Sequence, residues 1–83
     1  MTTEQLIKVF ETFFPDVPMR SKFDNESIQL YYIEDNLSYT VLYSKEINHL
    51  EVFKYNLKET YPLTTIIEGS PEDIIKLSKI LEQ

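Results

Sequence analysis

The chain has no cysteine, no tryptophan, one glycine and one histidine among its 83 residues. Each scarcity removes a class of chemistry. Without cysteine there is no disulfide framework, zinc–thiolate site, thiol nucleophile or redox pair, and the absence suits a reducing cytosol. With His49 as the single histidine, every nucleophilic triad would depend on one residue, and no serine sits in a Gly-x-Ser-x-Gly elbow. Gly69 alone cannot build a glycine-rich phosphate loop. No apolar run approaches the ~20 residues of a membrane span. The first residues lack the basic-then-apolar order of a signal peptide. A cytoplasmic protein without a membrane partner is expected.

Bases are scarce too. Lys and Arg number 8 against 14 acids, for a net charge of −6, and the bases are scattered. That argues against direct nucleic-acid binding, which needs a basic stripe. The negative charge itself has two readings. It is a solubility device, or it is a surface that docks a basic partner or imitates nucleic acid. Mimicry would need acids in a dense row, since duplex DNA carries one charge per about 1.7 Å.

What remains is enough for one domain spanning residues 1–83. A chain this short buries roughly 60–65% of its unfolded surface, so its core is thin. Hydrophobic residues make up 42% of it, with no low-complexity stretch, which excludes a disordered chain.

The first helix is written in its periodicity. Leu6, Ile7, Val9, Phe10, Phe13 and Phe14 fall on one face at 100° per residue, and Glu4, Gln5, Lys8, Glu11 and Thr12 on the other. Thr2 with Gln5 matches a capping box, and Pro15 stops the helix. Pro18 is expected to keep residues 16–19 extended. Residues 20–24 read as a short edge strand and 24–26 as a turn.

Residues 27–34 and 37–44 read as a hairpin around Asp35-Asn36. The turn sets the register: Glu34 opposite Leu37, Tyr32 opposite Tyr39, Leu30 opposite Val41, Ile28 opposite Tyr43. One face then carries Ile28, Leu30, Tyr32, Leu37, Tyr39, Val41 and Tyr43, and is the expected core face. The other carries Gln29, Tyr31, Ile33, Ser38, Thr40 and Leu42. Residues 47–61 fit a strand better than a helix, because Phe53, Tyr55 and Leu57 alternate while Val52 and Tyr55 fall off the helical stripe. Tyr61-Pro62 marks a turn, and 63–68 a strand rich in β-branched side chains. Ser70 as N-cap, Pro71 at the first helical position and Glu72 with Asp73 in the first turn open a second helix. Its apolar stripe reads as Ile74, Leu77, Ile80 and Leu81, with Ile75 to one side. The expected class is α+β: an antiparallel sheet of about four to five strands with an amphipathic helix at each terminus packed on it.

No constellation here reads as catalytic or metal-binding, and no cofactor is implied. Gly69-Ser70-Pro71 lies between strand and helix, where phosphates often bind, but two carboxylates in the first turn repel one. Capping explains it. His49 with Glu51 could form a same-face pair on a strand, yet one histidine with scattered carboxylates is a weak metal or acid–base signal. Glu34-Asp35 sits on a hairpin tip and Glu72-Asp73 on a helix cap, both ordinary structural positions.

The tyrosines carry more. Tyr32, Tyr39 and Tyr43 read as core residues whose hydroxyls reach water. Tyr31, Ile33 and Leu42 lie opposite the core face, with Glu34 and Asp35 at the tip beside them. If both helices pack on one face, these five form a partner-binding patch, which Ile75 and the edge strand could extend or a homodimer could bury. If the helices sandwich the sheet, the patch disappears. Aromatics on a sheet also serve as RNA platforms, but those need flanking Lys and Arg, and this tip is acidic.

The stretch Ile66-Ile67-Glu68-Gly69-Ser70-Pro71-Glu72-Asp73-Ile74 resembles the strand–Gly–Ser/Thr–Pro–acidic–helix ending of small acidic proteins encoded by bacteriophages and mobile elements. That resemblance implies a protein that binds and blocks a host enzyme or defence system, as anti-CRISPR proteins do. The expected function is therefore a non-enzymatic protein-interaction module. Two alternatives stay open. One is a small-molecule or nucleotide binder formed in an oligomer, drawing on Arg20, Lys22, Lys45, Lys54 and Lys58. The other is an acidic DNA mimic.

Overall fold

A computed structural model describes residues 1–58 and 63–82, and the main chain only at Leu63. Its elements run α1 (Thr3–Phe13), β1 (Arg20–Phe23), β2 (Ser27–Glu34), β3 (Leu37–Ser44), β4 (His49–Asn56), β5 (Leu63–Gly69) and α2 (Pro71–Leu81). The five strands form one antiparallel meander in sequence order. The fold is α+β, with both terminal helices packed on the sheet.

The capping chemistry acts as the sequence dictates. The Gln5 N–H donates to Thr2 Oγ1 at 3.2 Å, and the Thr2 N–H donates to Gln5 Oε1 at 2.9 Å, closing the capping box of α1. Ser70 Oγ accepts from the Asp73 N–H at 3.3 Å at the start of α2. α1 ends one residue before Phe14, whose N–H still donates to the Phe10 carbonyl at 2.8 Å. The segment after it is not extended throughout. Asp16 turns with φ 65° in the left-handed region, which a short polar side chain tolerates, and the next regular element is β1.

The β2–β3 hairpin has the register expected of it, pair for pair. Asp35 takes the left-handed residue of the turn, with φ 56°. The strand expected within 47–61 is β4, and it is shorter than the alternation implies: residues 45–48 form the turn that leads into it. Asn48 closes that turn at φ 49° and accepts from the Tyr43 hydroxyl at 3.0 Å, which gives this hydroxyl a protein partner. The Tyr61-Pro62 turn lies outside the described residues.

Leu6, Val9, Phe10 and Phe14 of the first helical segment meet Ile28, Leu30, Val41, Tyr43, Leu50 and Val52 of the sheet, and Ile74 of α2 joins them. The six sheet residues share one face. Each fully buried aliphatic or phenyl side chain here contributes about 1.5–3 kcal/mol. Phe14 meets Phe10 and Tyr39 edge-on, each at 5.2 Å between ring centres. α1 packs over β2 and β3, and α2 over β4 and β5. Thr12 donates to Glu82 Oε1 at 3.0 Å, so the C-terminal ends of the helices lie side by side.

The buried stripe of α2 is rotated from the expected one. Pro71, Ile74 and Ser78 are buried and Ile75 packs against the core, whereas Ile80 is 65% exposed and Leu81 55%. Ser78 occupies a core position because its hydroxyl donates to the Ile74 carbonyl at 2.9 Å, leaving no unpaired polar group. Ile80 and Leu81 fall in the last turn.

The helix-free face as candidate functional site

With both helices on one side, the opposite face is covered by no described helix. Alternation places four transverse rows on it, one of them Ser27, Ser44 and His49 at the end nearest the β1–β2 turn. Arg20, Tyr31, Thr40, Phe53 and Thr65 form the first, and Lys22, Gln29, Leu42, Glu51 and Glu68 the second. Ile33, Ser38 and Tyr55 form the third. A bulge between Val52 and Phe53 inserts Ile66 as an extra residue in β5, which keeps Glu68 and Thr65 on this same face.

Tyr31, Ile33 and Leu42 therefore sit together where the sequence places them. Ile33 is 49% exposed, and the other two are half-buried. Glu34 and Asp35 belong to the rim. Glu34 lies opposite Leu37, on the helix side by parity, and Asp35 forms the tip. Ile75 does not extend the patch, because it packs on the helix-side core. The edge strand does not extend it with apolar surface either: β1 presents Arg20 and Lys22 to this face, while Phe23, opposite Ile28, belongs to the other.

Phe53 and Tyr55 are the additions that sequence reasoning missed. Their alternation within 47–61 was the available signal. Pairing that strand with β3 places Phe53 opposite Thr40 and Tyr55 opposite Ser38. The centre of the face is accordingly closed. Thr40 is 1% exposed and Ser38 8% although no described helix covers them, so their taller neighbours Tyr31, Phe53 and Tyr55 shield them. The two hydroxyls share one hydrogen bond at 3.1 Å.

The face is electrically polar. Arg20 and Lys22 stand at its β1 edge, and neither has an ion-pair partner among the described residues. Glu51 and Glu68 lie directly opposite one another toward the β5 edge, a like-charge pairing that is unfavourable on a sheet. Thr65 donates to Glu51 Oε2 at 3.2 Å, and His49 Nε2 lies 3.9 Å from Glu68 Oε2. The same-face His49/Glu51 arrangement exists, but each residue has its own neighbour on β5.

At the β1–β2 turn, Asp24 accepts from the N–H groups of Glu26 and Ser27 at 2.8 and 2.6 Å and from the Ser27 hydroxyl at 2.9 Å. The Glu26 N–H, then the Ser27 hydroxyl and N–H, hold its carboxyl below the ordinary carboxylate value, with a small push from Lys45.

Two shallow depressions flank these features. One of about 320 Å³ lies between α1 and α2, beside Lys8, Ile75, Lys79 and Glu82. The other, about 310 Å³, lies beyond Leu42 among Asp24, Glu26 and Glu46. The bases proposed for a nucleotide do not converge on either. Lys22 is on the open face, and Lys54 is on the helix side with its ammonium 5.5 Å from the centre of the Tyr39 ring. Lys45 and Lys58 lie at opposite ends of the sheet. Carboxylates occur on both helices, at the hairpin tip and at the β1–β2 turn, in no single row. Among the described residues no cluster of three His, Asp or Glu could hold a metal ion, and no helix is long and apolar enough to cross a membrane.

No protein-family model, curated protein or solved structure matches the chain.

Proposed function

We propose that this protein works by binding another protein chain through the helix-free face of its sheet, and not by catalysing a reaction. The observation that carries this reading is the grouping of Tyr31, Ile33, Leu42, Phe53 and Tyr55 on three adjacent strands, on the side away from both helices. Aromatic residues contribute disproportionately to protein interfaces because they desolvate a large area while losing few rotamers. The two hydroxyls at the centre of the face are already buried and hydrogen-bonded to each other, so docking adds little desolvation cost there. The charged edges supply a rim that orients a partner. An inhibitor of the kind implied by the 66–74 resemblance would act through such a face.

The test is a double substitution, Tyr31→Ser with Leu42→Asp, checked for an unchanged circular-dichroism spectrum and then for complex formation. Loss of the complexes formed by the native chain is expected. A folded double variant that keeps all of them would refute the reading.

A further inference from the structure

We infer that the occupant of this face is a second copy of the chain, packed face to face about a twofold axis that runs along β3. The inference rests on the reading of the face as a protein-docking surface and names its partner.

The charge pattern selects the axis. A twofold along β3 keeps each transverse row at its own height and exchanges the ends of the row. Lys22 then meets Glu68 of the second copy, and Gln29 meets its Glu51. The unpaired base of one edge thereby relieves the crowded carboxylates of the other, twice per dimer. The apolar positions follow the same rule: Tyr31 meets Phe53 of the second copy, and Ile33 meets its Tyr55. Leu42 lies on the axis and meets itself. A twofold across the strands instead sets each strand over its own copy. It would press Arg20 and Lys22 against Arg20 and Lys22, and the glutamates against glutamates. Like-charge juxtaposition of that kind is a strong penalty, so only the first axis suits these residues.

The area is sufficient for a modest dimer. Five strands at 4.7–4.9 Å spacing and two to four same-face residues along each give about 500–600 Å² per copy. A total on the order of 1,100 Å² falls at the low end of specific interfaces, which points to association in the micromolar range. Two sheets so stacked lie about 10 Å apart with strands within roughly 30° of each other, a spacing that phenyl and phenol side chains fill.

Analytical ultracentrifugation of the full chain from about 1 to 300 μM tests this. A reversible monomer–dimer equilibrium is expected, and Leu42→Asp, which sets two carboxylates together on the axis, should abolish it. Lys22→Glu and Glu68→Lys should each weaken the dimer about threefold to tenfold, and the two together in one chain should restore it. Both charge variants are on exposed side chains, so they read out the axis even if Leu42→Asp fails to fold. A native chain that stays monomeric throughout the range overturns the second copy while leaving the docking face to its own test. A dimer indifferent to a folded Leu42→Asp variant places self-association elsewhere and overturns the second copy at this face, again leaving the docking face to its own test. A dimer that Leu42→Asp breaks but the charge swap does not restore overturns the axis.

Discussion

The two faces of one sheet make the instructive comparison in this molecule. Along β2 alone they are hard to tell apart: Ile28, Leu30 and Tyr32 face the helices, and Tyr31 and Ile33 face away. The difference appears across the strands. The helix side is aliphatic from β2 to β4, through Leu30, Val41 and Val52, and is sealed by Phe10 and Leu6 from above. The other side runs from Arg20 and Lys22 through aromatics to Glu51 and Glu68. Charge at both ends of a row marks a face that meets water or a partner, because a buried row could not hold unpaired ions.

The largest expected effect tests whether the faces differ energetically. Phe10→Ala, at a fully buried site, should cost about 3–5 kcal/mol. A chain of this length has roughly 4–12 kcal/mol to lose, so this variant should give up about a quarter of its stability or more. Phe53→Ala on the open face, where the ring is only half-buried, should cost about 1 kcal/mol in the monomer. Urea titration at low protein concentration measures both. Equal losses would mean that the open face is a second core.

Next in size is the rotation of α2. Ile74→Ala should cost about 2–4 kcal/mol, whereas Ile80→Lys should fall within about 0.5 kcal/mol of the native chain. Comparable losses at both positions would restore the stripe expected from hydrophobicity alone, which holds Ile74 and Ile80 together.

That stripe shows where sequence reading stops. The helix caps, the β2–β3 register and the order of elements are local, set by cap residues within one turn of each helix start and by a two-residue hairpin turn. The face of α2 is not local. Ser78 reads as polar until its bond to the Ile74 carbonyl makes it fit for the core, and Ile80 reads as core until the helix reaches its last turn. The side of the sheet chosen by each helix is equally invisible along the chain, since α1 and α2 never pair in sequence but meet at Thr12 and Glu82. Of the candidate site, Tyr31, Ile33 and Leu42 were legible because a two-residue turn set their parity. Phe53 and Tyr55 were not, because their parity depends on a four-residue turn whose left-handed residue is Asn48, where no glycine announces it.

A smaller effect probes the closed centre of the open face. Thr40→Val preserves shape and removes one partner of the Ser38–Thr40 pair. A cost of about 0.5–1.5 kcal/mol is expected, since Ser38 is left buried without its bond. Replacing both, with Ser38→Ala added, should recover part of that loss. A double variant no better than the single would show that water reaches Ser38 and that the aromatic cover is looser than its 8% exposure indicates.

The smallest effect concerns the edge that carries the positive end of the face. Asp24 organises the β1–β2 turn and so holds Arg20 and Lys22 in register with Tyr31 and Gln29. Its carboxyl is held below its ordinary 3.8 in the folded chain, chiefly by the Glu26 N–H and the Ser27 hydroxyl. A carboxylate with a depressed folded value contributes stability that is fully present above the unfolded value. The contribution is lost as pH falls through the folded one. Asp24→Asn keeps an oxygen for the two N–H groups but cannot titrate. The native chain should therefore be slightly more stable than Asp24→Asn at pH 6, and the gap should close as the pH drops below about 4. All other carboxylates are common to both proteins and cancel in the difference. A gap that stays constant down to pH 2 would mean that the turn depends on the shape of residue 24 and not on its charge, and the register of Arg20 and Lys22 would then owe nothing to ionisation.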